Sequence, residues 1–464
     1  MDRMKSIPGG RIAFGIHVAW AMPGTSHVLG NLQKTKHYIM SRSYFRSLAR
    51  QAGVPVSIFG LCMGGALAQA ADATVDKLEK ENQDLRKRLD ALEAVAKKEG
   101  ILPDEKASGH VLKAMSETTI SGFVQASYFY NNRTPADGKS DGYLWNTTHN
   151  SFSLNKVKVT LASKGVERSG ESWDAGYRTS LMWGEDSQVL NTGSPVAGFE
   201  AIREAFVEAH VPIGTGLNVK AGHLISLLNY ESGDGGAANA NFSQGYQWFY
   251  TGNGPAAGFQ LNYKITDMVD VTARIQNGLY AGPVDSNNAK IAMGAIGIKP
   301  SDATWFSLIG FGRVGGQGNG GDSVRGGSLL AGHTLTEGLN LGLEFDYFSF
   351  EAKPSDLELW SIGTWITYDF TSKFGVALRA EYLDDKDGGG IKGVGLPGAI
   401  RGSSAILSPD IDGDLSSLTL TFNYKPAPNI KIQPEIRYDR TSYAGGFDGT
   451  KDRFTFGAGV SYLF

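Results

Sequence analysis

The residues able to do chemistry recur at alternate positions. In the segment 431–439, Lys431, Gln433, Glu435, Arg437 and Asp439 alternate with Ile432, Pro434, Ile436 and Tyr438. Asp270, Thr272, Arg274 and Gln276 alternate with Val269, Val271, Ala273 and Ile275, and Glu344 and Asp346 with Leu343, Phe345 and Tyr347. Charges spread in this way over many segments suit steering and selection of solutes by charge. They do not suit bond cleavage: His110, His149, His210, His223 and His333 are scattered, with no nucleophile motif beside them. The run 310–315 fits G-x-G-x-x-G, but no βαβ context follows it. The acidic clusters at 384–387 and 410–414 fail the EF-hand pattern, with Gly misplaced and no distal Glu. The expectation is a protein that is not an enzyme and carries no metal or cofactor.

A period of two means strands with one apolar and one polar face. If the apolar face meets lipid, a mid-bilayer Arg or Lys on it costs about 2–4 kcal/mol, so mid-strand charges point inward. The expected basic pore-lining residues are Lys156, Lys158, Arg178, Lys220, Arg274, Arg379 and Arg437. The expected acidic ones are Glu204, Glu208, Asp270, Glu344, Glu381 and Glu435. For any one of these, simple cation–carboxylate pairing is the plainer alternative. The segments near 289–313 alternate poorly and stay unassigned.

The chain ends on such a strand. Phe454, Phe456, Ala458, Val460, Tyr462 and Phe464 share one face, and Arg453, Thr455, Gly457, Gly459 and Ser461 the other. A terminal strand closing on an aromatic is expected of a transmembrane β-barrel, with Tyr462 and Phe464 as the assembly signal. Upstream, short turns rich in Pro, Gly, Asp and Ser alternate with long polar loops. Counting 243–251 as a strand gives seventeen and breaks that alternation. Treating 227–255 as one loop gives sixteen, an even number as bacterial barrels have. The fold class is all-β: an antiparallel transmembrane barrel of about sixteen strands, preceded by a short coiled-coil helix.

Composition agrees. The chain has 464 residues, 61 of them Gly, with 11% aromatics and a mean hydropathy of −0.20. Alternating strands average to near-neutral hydropathy, so this value does not argue against a membrane. Arg42, Arg46 and Arg50 precede the apolar stretch 54–68, which ends in Ala68-Gln69-Ala70, the three parts of a secretory signal. Residues 40–70 are read as that signal and 1–39 as a non-native extension. The single cysteine, Cys62, falls in the segment expected to be removed. Beyond residue 70 acidic residues outnumber basic ones by ten, which argues against a nucleic-acid partner. Val75, Leu78, Asn82, Leu85, Leu89, Leu92 and Ala96 are spaced 3-4-3-4-3-4, a heptad seam in which Asn82 fixes register and strand number. Residues 71–99 are therefore an expected coiled coil, 100–116 a linker and 117–464 the barrel.

Several segments carry a family likeness. They are Phe152-Ser153-Leu154-Asn155-Lys156-Val157, the run 177–186 (Tyr177 to Asp186), Glu204-Ala205-Phe206-Val207, Val219-Lys220-Ala221-Gly222-His223 and Asn229-Tyr230-Glu231. Over roughly residues 118–300 the chain resembles the β-barrel porins of the OmpL-like type. That resemblance implies an outer-membrane channel of a Gram-negative bacterium, for passive diffusion of small hydrophilic solutes or ions. The run Leu228-Asn229-Tyr230-Glu231 departs from that likeness, which leads one to expect a Gly before the Tyr-Glu pair.

A sixteen-stranded barrel is wide enough for an aqueous channel and needs something to narrow it. The 227–255 loop is the candidate, with Glu231, Asp234, Tyr246 and Trp248 as constriction residues set against the basic wall; a loop folded over the rim is the alternative. The implied partners are outer-membrane lipid, the barrel-assembly machinery and further copies of the chain, a trimer being favoured, with the coiled coil in the periplasm. The competing functions are a solute-specific or partner-bearing barrel, such as an electron-carrier sheath or adhesin, and an outer-membrane hydrolase.

Overall fold

A computed structural model describes Asp84, Lys87, Arg88 and residues 117–464, apart from 167, 169–170, 188–200, 280–284, 286–287, 316–323, 352–355, 386–412 and 443–445. Sixteen strands follow in chain order: β1 (Thr119–Asn131), β2 (Ser151–Ala162), β3 (Asp174–Trp183), β4 (Ile202–Val211), β5 (Leu217–Leu224), β6 (Ala256–Lys264), β7 (Val269–Gln276) and β8 (Lys290–Ser301). Then come β9 (Thr304–Val314), β10 (Val324–Thr336), β11 (Leu339–Phe350), β12 (Leu357–Asp369), β13 (Phe374–Asp385), β14 (Gly413–Ala427), β15 (Ile430–Thr441) and β16 (Asp452–Leu463). Each pairs antiparallel with the next, and β1 pairs with β16, so the sheet closes. Closure removes every sheet edge, which lets a β structure sit in lipid with its backbone groups satisfied.

The alternation of the sequence becomes the two faces of this wall. Phe259, Ile275, Phe345, Ile436, Phe454, Phe456 and Val460 are exposed on the outside. Gln260, Arg274, Glu344, Glu435 and Arg437, one position away, are buried inside. The seam between the first and last strands holds tightly. Gly122 N–H donates to the Phe464 carbonyl at 2.9 Å, and Phe464 N–H returns the bond at 3.0 Å. A side chain at Gly122 would run into the Lys158 carbonyl and the Phe464 ring. Tyr462 and Phe464 both point outward and are exposed.

Strands β8 and β9 explain why 289–313 resisted assignment: both of their faces are apolar. Ile296, Ile298, Phe306 and Leu308 face outward, while Ile291, Met293, Ala295, Ile309 and Phe311 are buried inside. With Phe348, Phe350 and Leu359 the inner set forms an apolar lining that continues into the loops. Asp84, Lys87 and Arg88 lie in a helix, and Asp84 pairs with Arg88 at 2.9 Å one turn on. The seam residues Val75, Leu78, Asn82, Leu85, Leu89 and Leu92, the signal and the linker lie outside the described residues.

Candidate functional site

The 225–255 segment between β5 and β6 has no strand of its own. It carries a 3-10 turn, Gly235–Ala237, and one turn of helix, α1 (Tyr246–Tyr250). It lies within the barrel, against the inner faces of β11–β16, β1 and β2. Irregular backbone at membrane depth must find partners in protein or water, and here the wall supplies them. Glu344 accepts from Tyr230 N–H at 2.6 Å. Glu381 accepts from Gln247 N–H at 3.1 Å. Glu435 accepts from Phe242 N–H at 2.8 Å and Ser243 N–H at 3.2 Å. The cations serve the carbonyls: Arg379 donates to Ser243 O at 2.6 Å, Arg437 to Gln244 O at 2.7 Å and Lys431 to Gly236 O at 2.8 Å. The turn reaches the short-turn rim, where Ala237 and Ala238 line a small cavity with Lys425, Pro428 and Ile430. Phe242 fills the space left by Gly459, where any Cβ would strike its ring.

Charged and aromatic side chains lock the same docking. Glu231 pairs with Arg379 at 2.6 Å, and Arg379 lies 3.1 Å from Glu381, all three buried. Glu231 also accepts from Gly245 N–H at 2.8 Å. Gln247 bridges Asp346 and Ser361, both at 3.0 Å. Arg437 lies over the rings of Tyr143 and Tyr246 at 4.4 and 4.6 Å. Tyr143, Leu144 and Trp145 come from the β1–β2 loop and are buried over α1, with Trp145 and Trp248 ring centroids 3.9 Å apart. Tyr250 Oη donates to Gly142 O at 2.8 Å.

The structure therefore divides the expected basic residues into two groups. Arg379 and Arg437 lie on the wall that carries the loop. Lys156 and Lys158 flank it: Lys156 pairs with Asp186 at 2.7 Å, buried, and Lys158 with the loop's Asp234 at 2.8 Å. Arg178, Lys220 and Arg274 sit across the lumen on β3, β5 and β7. Arg178 pairs with Glu204 at 2.6 Å, and Arg168 holds Glu208 at 3.5 Å. Asp270 accepts from Asn262 at 3.0 Å. Among the constriction residues, Glu231, Tyr246 and Trp248 are occupied by docking contacts, and Asp234 keeps a quarter of its side chain exposed.

Two inward residues escaped sequence reasoning, for one physical cause. A bulge puts an extra residue into one strand and breaks the alternation. The β3–β4 register shifts at Ser180/Leu181, and Arg203 and Glu204, neighbours in sequence, are both buried inside. The β1–β2 register shifts at Gln125/Ala126, and Asn155 and Lys156 are likewise both buried. Asp186, in a loop, carried no periodic signal at all.

The loops over the long-loop rim hold carboxyls shifted upward by their surroundings. Burial, then the like charge of Asp448 and that of Asp137, push the Asp141 carboxyl up to about 6 from an ordinary 3.8, with Arg453 opposing. Asp448 is raised too, mainly by burial. A carboxyl raised in the folded state stabilises the packed loops fully below its unfolded pKa, and that contribution is lost as pH rises through the folded value. Protease cleavage within 133–142 and 446–452 is expected to speed up as pH rises from 4 through 6. Asp141→Asn should flatten the profile; an acid-accelerated profile in the parent chain would contradict the packing.

A family model described as "Putative beta-barrel porin-2, OmpL-like" matches residues 117–464. No curated protein matches the chain in sequence. Among solved structures, the chain is similar to an anion-selective porin from Comamonas acidovorans at 11% identity and a TM-score of 0.49, covering 75% of this chain and 99% of that one. It is similar to a triple mutant of the Rhodopseudomonas blastica porin at 13% and 0.43, covering 75% and 100%. A third likeness is to OmpT, an outer membrane protein of Vibrio cholerae, at 11% and 0.45, covering 75% and 97%.

Proposed function

This chain belongs to the OmpL-like beta-barrel porin-2 family, and on that premise we propose a passive outer-membrane channel for small hydrophilic solutes and ions whose passage runs between the inserted loop and the facing wall. The observation that carries the path is the uneven docking of the loop. Its backbone groups are taken up mainly by β11–β15, while toward β3–β7 it meets Arg203 at Gly233 and Arg274 at Ile225. The charges of Arg178, Lys220 and Arg274 on that side, with Asp234 on the loop, set a field that selects by charge.

Single-channel recording of the refolded barrel tests this. Conductance steps are expected, and neutralising Arg178 and Arg274 together should move the reversal potential toward cations. Fixed charges act over about 10 Å at 0.1 M salt and about 3 Å at 1 M, so the shift should fade in molar salt. A folded barrel without steps would overturn the channel. Steps indifferent to both arginines at low salt would overturn the path.

The segment 71–99 fits an oligomerising coiled coil of the periplasm, favouring a trimer, since tethering three barrels raises the local concentration of three marginal heptads. Deleting 71–99 should leave conductance per barrel intact while abolishing detergent-stable oligomers on unboiled gels. Retention of full oligomeric mass would assign that segment another task.

A further inference from the structure

On the facing wall, several buried hydrogen-bond donors gather. Lys220 on β5, Gln260 on β6 and Arg274 on β7 stand side by side in one cross-strand row. Arg274 gives Nε and Nη2 to the Gln260 side-chain oxygen at 2.9 and 2.6 Å, and Nη1 to Ile225 O at 2.7 Å. With its oxygen so committed, Gln260 has only its amide N–H groups to offer elsewhere. Lys220 lies over the Phe206 ring at 4.5 Å.

Nearer the long-loop rim lie Arg203 and His223. Arg203 is 5% exposed and His223 6%. Arg203 Nη1 and both His223 ring nitrogens are buried without a hydrogen-bond partner. The Arg203 guanidinium abuts the inserted loop at Gly233, where a Cβ would collide with it. Of the neighbouring carboxylates, Glu204 accepts from Arg178 and from Ser180 through one oxygen and keeps the other buried without a partner, and Glu208 pairs with Arg168. Among the described residues no carboxylate forms an ion pair with Arg203 or Lys220.

Burying a cation without a counter-charge costs several kcal/mol, and a group rich in donors is complementary to a ligand rich in acceptors. We propose that Arg203, Lys220, His223 and Gln260 form a binding station for small oxyanion solutes, those bearing a carboxylate or phosphate group, beside the inserted loop. Guanidinium presents a planar fork matched to two oxygens of such a group, and ammonium adds a point charge. The station deepens the channel reading and rests on it for the claim that solutes pass there, but not for the binding itself.

Calorimetry on the refolded full chain in detergent, at low salt, tests the binding without any current being measured. Inorganic phosphate and succinate are the two probes, and the stronger binder tells phosphate from carboxylate recognition. Saturable binding of at least one is expected, weakened about tenfold in Arg203→Gln and in Lys220→Met and unchanged in Lys299→Gln, a lysine near the end of β8 paired to Asp302. Heat-modifiable gel mobility checks that each variant has folded; should Arg203→Gln fail, Lys220→Met carries the comparison. Absence of binding by both probes, or binding unaltered in every folded variant, overturns the station. Binding to a barrel that conducts nothing would support the station while rejecting the passage; conduction without binding would do the reverse.

Discussion

Replacing residues 227–255 by a six-residue turn is expected to raise single-channel conductance several-fold. The segment lies inside a closed sixteen-stranded wall, and ionic current scales with the open cross-section it leaves. Strands β5 and β6 pair directly along Leu217–Leu224, so the connection can shorten without opening the sheet. The wall groups that now bind loop backbone, Glu344, Glu381, Glu435, Arg437 and Lys431, would be hydrated rather than stranded. A polar group loses little when water replaces a protein partner and much only when nothing does. The shortened barrel should therefore keep its heat-modifiable mobility. Conductance within a factor of about 1.5 of the parent would show that the narrowest point lies elsewhere.

The sequence disclosed the wall better than the lumen. β6, β7, β11 and β15 obey strict alternation, since lipid on one side and polar lumen on the other impose opposite demands at every second residue. β8 and β9 were opaque because Ile291, Met293 and Phe311 pack against an apolar interior, so both faces make the same demand. Arg203 was invisible because a bulge turns two consecutive residues inward. The docking partners of the 225–255 loop were least legible, although its place in the lumen was the expectation. Its partners, Arg379, Glu381, Glu435 and Arg437, read from sequence alone as charges facing open water. Irregular backbone has no period, and its docking depends on pairs separated by more than a hundred residues, such as Tyr230 N–H with Glu344. The density of Gly, Asn, Ser and aromatics between 229 and 254 was the one usable sign that this loop would pack.

Glu231 puts the difference between a docking charge and a selecting charge to the test. Sequence alone gives it the same task as Asp234, repelling anions. In the fold it is buried and receives Arg379 at 2.6 Å, Gly245 N–H at 2.8 Å and the Trp365 indole at 3.3 Å. Removing one partner of a buried pair costs about 3–5 kcal/mol. Glu381 remains beside Arg379 after Glu231→Ala, so the low end of that range is expected, about 3 kcal/mol, or roughly a hundredfold shift from docked toward undocked loop. The strand pairs are untouched, so the barrel's thermal transition should hold while recordings gain brief openings to a larger conductance. Asp234→Asn should do the opposite. It leaves the loop docked and exposes the Lys158 charge it now balances, so the reversal potential moves toward anions at low salt without new conductance levels. Glu231→Gln, which removes charge and retains an acceptor oxygen, should leave the reversal potential of the docked level unchanged. If Glu231→Ala shows a single conductance level equal to that of the parent chain, the buried pair does not hold the loop. If Glu231→Gln moves the reversal potential as far as Asp234→Asn, its charge acts on passing ions and the docking assignment fails.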